Sequence, residues 1–299
     1  MAEATIPLDL FNPGQVFACL GFLEAAETLL GNARGAFDWS DASNVRFKLR
    51  ADGEDSPVQV VLDFLRKAEV SAISPSRAQL AAEGWGVTTT ELAPEEEPFP
   101  FPCPSSPATL PARLSCHGKE ITIDYWGDEA ARTGRDNAKF WAGAGGYPGA
   151  ALAKDALELM SQCSGDLASD PFNVPARQSS SFRFDWRRDY VPLDIGFSLN
   201  AHSGERFCTV GYPIVEIMAA IGLTHARPKR VSKLEYLYTA IAAPGGKELL
   251  DPVFLRAALG CCDLPFNRRF FRMRLDWPGQ ENQARCITAV EEIIYAEEK

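Results

Sequence analysis

Hydrophobic and polar positions alternate with period two in three segments of this chain, and each time the polar partners are mostly cationic. In NVRFKLR, Val45, Phe47 and Leu49 alternate with Arg46, Lys48 and Arg50. In SFRFDWR, Phe182, Phe184 and Trp186 alternate with Arg183, Asp185 and Arg187. In FNRRFFRMRLDW, Phe271, Met273 and Leu275 alternate with Arg272 and Arg274, with Arg268 and Arg269 leading in. Such alternation predicts strands with one buried and one solvated face. EITIDYW is a fourth strand of this kind, but its outward residues are Glu120, Thr122 and Asp124. If the three cationic strands share a sheet, its open face is strongly basic. Decoration for solubility accounts equally well for any one of them.

The remaining periodic segments read as helices, several opened by a cap residue followed by proline at the first helical position. FNPGQVFACLGFLEAAETLLG offers Asn12-Pro13 and is apolar around most of its circumference, which predicts a fully buried helix. PIVEIMAAIGL, after Tyr212, is a second apolar helix that faintly echoes it. DSPVQVVLDFLRKAE carries Val58, Val61, Leu62 and Leu65 on one stripe behind Ser56-Pro57. The same signal at Ser74-Pro75 and Asp251-Pro252 predicts helices in SPSRAQLAAEG and DPVFLRAALG, each stopping at a glycine. Between Pro94 and Pro111 lie seven of the 21 prolines, an extended surface segment that serves equally as an internal boundary or as a long loop crossing one domain. The expected architecture over residues 1–299 is a single compact α+β body. It combines a mixed or antiparallel sheet, buried apolar helices and the proline-rich surface segment.

Charge changes this picture. The chain has a net charge of -10, yet residues 177–285 hold 16 basic against 11 acidic side chains. Residues 1–176 hold 13 basic against 25 acidic. An acidic body with one basic portion points to a polyanion on that portion. The opening MAEATIPLDL has no basic region followed by an apolar core, and no apolar run reaches the roughly 18 residues of a membrane span, so a cytoplasmic protein without a membrane partner is expected. Eight cysteines without a C-x-x-C read as buried free thiols, and neither a metal nor another cofactor is expected.

Catalytic signatures are thin: no Walker A, G-x-G-x-x-G, H-E-x-x-H or G-x-S-x-G is present. RDNAKFWAG combines Arg135, Lys139 and Trp141, positive charge beside a stacking ring, which can hold a nucleotide backbone and base together. The glycine-rich WAGAGGYPGA that follows can offer amides to a phosphate or simply flex. HARPKRVSK places Arg227, Lys229, Arg230 and Lys233 after the second apolar helix, where they complement the helix dipole or contact phosphates. Among three histidines, His202, near Ser203 and Arg206, is the best candidate for a general base, though an ordinary loop histidine explains it more simply.

The blocks LDLFNPGQVFACLGFLEAAE, NAKFWAG, SFRFDWRRDYVPLDIGFSLNAH, YPIVEIMAAIGLTHARP and FFRMRLDWPGQENQARC run in this order over nearly the whole chain. Together they resemble a CRISPR-associated family of the type I-U effector operons, the subtype also called I-G. The resemblance implies a subunit of a crRNA-guided Cascade complex, in which base pairing reads the target and the proteins hold backbones and read a short PAM duplex. It further implies a role like that of a large subunit, with crRNA, target DNA, other Cascade subunits and the helicase–nuclease as partners. No catalytic residue carries over. On this reading Arg46, Lys48, Arg50, Arg135, Lys139, Trp141, Arg183, Arg187, Arg188, Arg227, Lys229, Arg230, Arg268, Arg269, Arg272 and Arg274 are expected on nucleic acid; Asn12 and Gln15, beside a tight Asn-Pro-Gly turn, are candidates to read base edges of the PAM, while capping and packing explain them more cheaply. The rival readings are a crRNA-processing endoribonuclease of the ferredoxin-like kind, with His202 as base, and a purely protein-bridging subunit.

Overall fold

A proline at the first helical position opens the two helices on which everything else packs. The computed structural model describes residues 1–76, 79–92, 107, 110–124, 148–177, 182–187, 210–232, 234–243, 248–276 and 286–294. Helix α1 (Pro13–Leu29) starts after Asn12 in extended backbone and ends where Gly31, at φ 87°, turns its N–H back to the Ala26 and Glu27 carbonyls. Its residues from Pro13 to Ala26 are all buried, as its all-round apolar pattern predicts. Helix α4 (Pro213–His225) is likewise buried from Pro213 to Leu223. The two cross with main chains in contact, because Gly21 lies against the carbonyl of Met218 and Gly222 against that of Phe17. A side chain at either glycine would force the helices apart.

Three larger sheets surround this pair, and the fold is α+β. The first has order β1-β3-β2, all antiparallel: β1 (Ala2–Pro7), β2 (Arg34–Asp38) and β3 (Arg46–Ala51). Phe47, Leu49 and Ala51 of β3 are fully buried, and α2 (Pro57–Lys67) adds its stripe of Val58, Val61, Leu62 and Leu65 to the same core. The second is mixed, with order β5-β4-β6-β7: β4 (Glu69–Pro75) runs parallel to β5 (Thr88–Leu92) and antiparallel to β6 (Ala112–Cys116), which pairs with β7 (Lys119–Ile123). Helix α3 (Gly149–Gln162) packs on α4 and β4. A short ladder joins β8 (Ala176–Arg177) to β9 (Val210–Gly211).

The third sheet is antiparallel, with order β10-β11-β12-β13: β10 (Lys229–Ser232), β11 (Glu235–Ile241), β12 (Arg268–Asp276) and β13 (Cys286–Ile293). Helix α5 (Pro252–Leu259) packs against β11. The bridges Gly35–Leu250 and Phe37–Ala242 tie the first sheet to this part of the chain. Tyr238 stacks on Phe271 at 5.1 Å and meets Phe17 edge-on at 5.9 Å, while its hydroxyl donates to the Leu10 carbonyl at 2.7 Å. One contiguous apolar cluster thus draws on the five helices and three larger sheets of the described residues.

Two expected elements are replaced. Ser74-Pro75 does not open a helix: it ends β4, and a 3₁₀ turn at Glu83–Trp85 follows instead. Pairing of β4 on both edges, with Ala72 and Ile73 buried, outweighs the local cap signal. Residues 182–187 of SFRFDWR form no strand. Arg183 adopts φ 65°, a left-handed conformation that breaks the alternation. Most of the proline-rich segment lies outside the described residues.

Candidate nucleic-acid interface

The cationic segments do not share one sheet. β3 belongs to the first sheet, β12 to the third, and residues 182–187 to neither. On β3 the alternation holds, and Arg46, Lys48 and Arg50 face away from the buried side chains. Cross-strand pairing then supplies carboxylates: Lys48 meets Asp38 of β2 at 2.8 Å, and Arg50 meets Glu3 of β1 at 3.5 Å. Lys48, with the hydroxyl and amide of Ser40, holds the Asp38 carboxyl down from 3.8 to about 2. Arg46 is exposed, and its Nε donates to Asn44.

The same happens on β12. Arg272 and Arg274 stand on the face opposite Phe271, Met273 and Leu275, as the sequence predicts. Arg272 meets Glu235 of β11 at 3.0 Å and Glu291 of β13 at 3.1 Å, and Arg274 lies 3.7 Å from Glu291. Arg268 pairs with Asp263 at 2.8 Å. Arg269 points to the other side of the sheet, among the rings of Phe11, Trp39 and Phe271, and makes two 2.7 Å bonds to Glu292. That bidentate pair pushes the arginine further up and the carboxyl down. Much of the expected guanidinium face is therefore a set of cross-strand ion pairs, which stiffen a sheet and offer little net charge to a polyanion.

Arg187 is an internal strut. Its backbone N–H, Nε and Nη2 donate to the carboxylate of Asp185 at 2.8, 3.1 and 2.7 Å, and Nη2 also donates to the Phe172 carbonyl at 2.6 Å. The guanidinium stacks 3.7 Å over the ring of Tyr212. Asp185, expected to face solvent beside the arginines, is buried, and Trp186, expected to face the core, is exposed. The Asp185 side chain accepting the amide two residues on is an Asx turn, the local signal that the alternation masks.

Asn12 and Gln15 are not at the surface where a base edge would meet them. Asn12 is fully buried and donates to Asp185 at 2.9 Å, and Gln15 is buried with its carbonyl accepting the Asp9 amide at 2.7 Å. They fasten the start of α1 to its neighbours. Arg135, Lys139, Trp141, Arg188, His202 and Lys233 lie outside the described residues.

A further concentration of positive charge is at β10. From Ala226 to Leu234 the chain carries four cations and no carboxylate. Arg227, two residues before the strand, is exposed, as are all four residues of the edge strand β10, Lys229 and Arg230 among them. In register, Lys229 lies opposite Leu237, which lies opposite Arg272, so Lys229 and Arg272 share a face of the sheet.

A polar cluster around one buried carboxylate, which the sequence did not announce, joins α1, α4 and α5. Glu24, buried on α1, accepts two bonds from Arg256, at 2.6 and 2.5 Å, and lies 3.5 Å from Nδ1 of His225. An open groove of about 650 Å³ at the end of α3 is lined by Asp166, Asp170 and Arg177, among others, and by none of the β10 cations. Among the described residues no three His, Cys, Asp or Glu side chains gather as a metal site, and no helix is long and apolar enough to cross a membrane. No protein-family model, curated protein or solved structure matches this chain.

Proposed function

We propose that this chain is a non-catalytic nucleic-acid-binding subunit of a type I-U (I-G) CRISPR effector complex. In that role it contributes to crRNA-guided binding of target DNA, to PAM recognition and to recruitment of the helicase–nuclease. The observation that carries the binding role is the β10 segment, where Arg227, Lys229 and Arg230 are exposed and no carboxylate lies between Ala226 and Leu234. Binding to phosphates needs this density of cations on a surface strand, each adding to a salt-dependent affinity. The sequence blocks that resemble the family support the rest. The described parts of those blocks in α1, α4 and residues 182–187 meet through Asn12 and Glu216, and Tyr238 of β11 joins Phe17 of α1 to Phe271 of β12.

The test is titration of the purified chain with labelled duplex and single-stranded oligonucleotides across salt concentration. Wild type is expected to bind with a steep salt dependence. Lys229→Glu with Arg230→Glu should lower affinity and flatten the slope by about two, one for each cation withdrawn from a phosphate. Absence of salt-dependent binding overturns the reading. Metal-free cleavage of repeat RNA by the purified chain overturns its non-catalytic part.

A further inference from the structure

The chain has eight cysteines and one place where two are consecutive, Cys261-Cys262. They stand where α5 ends. The Cys261 amide donates to the Ala258 carbonyl at 2.8 Å and the Cys262 amide to the Ala257 carbonyl at 3.0 Å, a Schellman closure of the helix. Such a closure favours glycine at its left-handed position, yet Gly260, one residue earlier, has φ -77° and Cys261 takes φ 61°. Neighbours hold the turn on both sides. The Cβ position of Gly260 lies 3.5 Å from the Arg227 carbonyl, and Arg268 donates to the Cys262 carbonyl at 3.3 Å.

The two thiols have different surroundings. Cys261 is 8% exposed, and the Thr239 hydroxyl donates to its sulfur at 3.3 Å. Burial pushes this thiol up; Thr239, then the charge and main chain of Lys229, draw it down, and Cys262 adds to the rise. Cys262 is exposed. A dissolved oxidant therefore meets Cys262 first, with a second, shielded thiol on the adjoining residue to resolve the product. Consecutive Cα atoms lie about 3.8 Å apart, below the roughly 4.4–6.8 Å of ordinary disulfides. A bond closed here is strained and easily reduced, which suits a reversible modification and not a structural staple.

We propose that Cys261 and Cys262 form a reversible oxidation site, at which a hydroperoxide converts the two thiols into a vicinal disulfide. This goes beyond the nucleic-acid reading and does not depend on it. The Cys262 thiolate attacks the terminal oxygen of the hydroperoxide. The O–O bond breaks, the departing alkoxide takes up a proton, and Cys262 becomes a sulfenic acid. The Cys261 thiol then gives up its proton and attacks the Cys262 sulfur. The S–O bond breaks, and the departing hydroxide is protonated to water. Two thiols and one hydroperoxide become one disulfide, one alcohol and one water, with two electrons passing from sulfur to oxygen.

The experiment treats the full folded chain with hydrogen peroxide, alkylates the remaining thiols and reads the peptide holding residues 261 and 262 by mass spectrometry. In wild type this peptide should lose two hydrogen atoms and both alkylation sites, and dithiothreitol should restore both. Cys262→Ser should leave Cys261 as an alkylatable thiol. Cys261→Gly supplies the residue that the left-handed backbone favours, so the helix end is kept, and oxidation should stop at a Cys262 sulfenic acid that dimedone captures. The inference is overturned if both wild-type thiols stay alkylatable, or if either is bridged to another cysteine or a second chain. Oxidation of Cys262 beyond the sulfenic acid with no disulfide formed overturns it as well. The wild-type measurement decides the matter without either variant, and none of these outcomes bears on the oligonucleotide titration.

Discussion

Gly21 of α1 lies against the main-chain carbonyl of Met218 on α4, with no room between them for a methyl group. The contact is reciprocal, since Gly222 meets the carbonyl of Phe17 in the same way. Because α1 and α4 together reach α2, α3, α5, β3 and β7, the spacing of this one crossing sets the position of most of the core.

Gly222→Ala should therefore lower stability by about 1–3 kcal/mol or more, the cost of overpacking a site that cannot collapse. Gly21→Ala should do the same. The double variant should cost less than the sum, because the first substitution already separates the helices that the second would push on. Urea midpoints of the three variants check this, with an unchanged m-value showing that the fold survives.

Lys48→Met should raise the Asp38 pKa from about 2 part of the way toward its ordinary 3.8, since the bonds from Ser40 remain. The sign of the linkage follows. A carboxyl depressed in the folded state stabilises above its unfolded value, and that contribution is lost as pH falls from 3.8 toward 2. Carboxyl chemical shifts followed over pH 1.5 to 5.5 (about the range needed) report the change directly.

Burial holds His225 below its ordinary value of 6.5; Glu24 opposes the shift, Arg256 reinforces it and Asp124 opposes it. The unfolded chain takes up this proton near 6.5, and the folded chain only at lower pH. Stability from this group is therefore complete above 6.5 and falls as the solution is acidified below it. His225→Gln should flatten the pH dependence of the urea midpoint just below 6.5, leaving the slope from the carboxylates at lower pH.

Much of the fold was legible because its signals are local. Proline behind Asn12, Ser56, Tyr212 and Asp251 marks four real helix starts, and period-two alternation marks β3 and β12 with the right side chains buried. The site was less legible because its determinants are pairings. Nothing near Arg272 in sequence says that Glu235 and Glu291 flank it, and nothing near Glu24 names Arg256. In SFRFDWR the alternation itself misled. Glu216, 31 residues beyond Asp185, takes two amides of the segment and holds it out of any ladder.

Arg272 gives the sharpest contrast between a structural cation and a binding one. It bridges two carboxylates that approach from the neighbouring strands on either side. Arg272→Met would leave Glu235 and Glu291 facing each other's charge, with Arg274 3.7 Å from Glu291, and with these side chains 29% and 53% exposed, solvent moderates the cost to about 1 kcal/mol. Nucleic-acid affinity should change little, because the charge removed is balanced by Glu235 and Glu291 within the sheet, whereas Lys229→Met removes a cation from the exposed strand β10. Paired urea denaturation and oligonucleotide titration of the two variants measure both quantities. The expected pattern is a lower midpoint for Arg272→Met and a lower affinity for Lys229→Met; the reverse pattern would make β12, not β10, the phosphate-bearing strand.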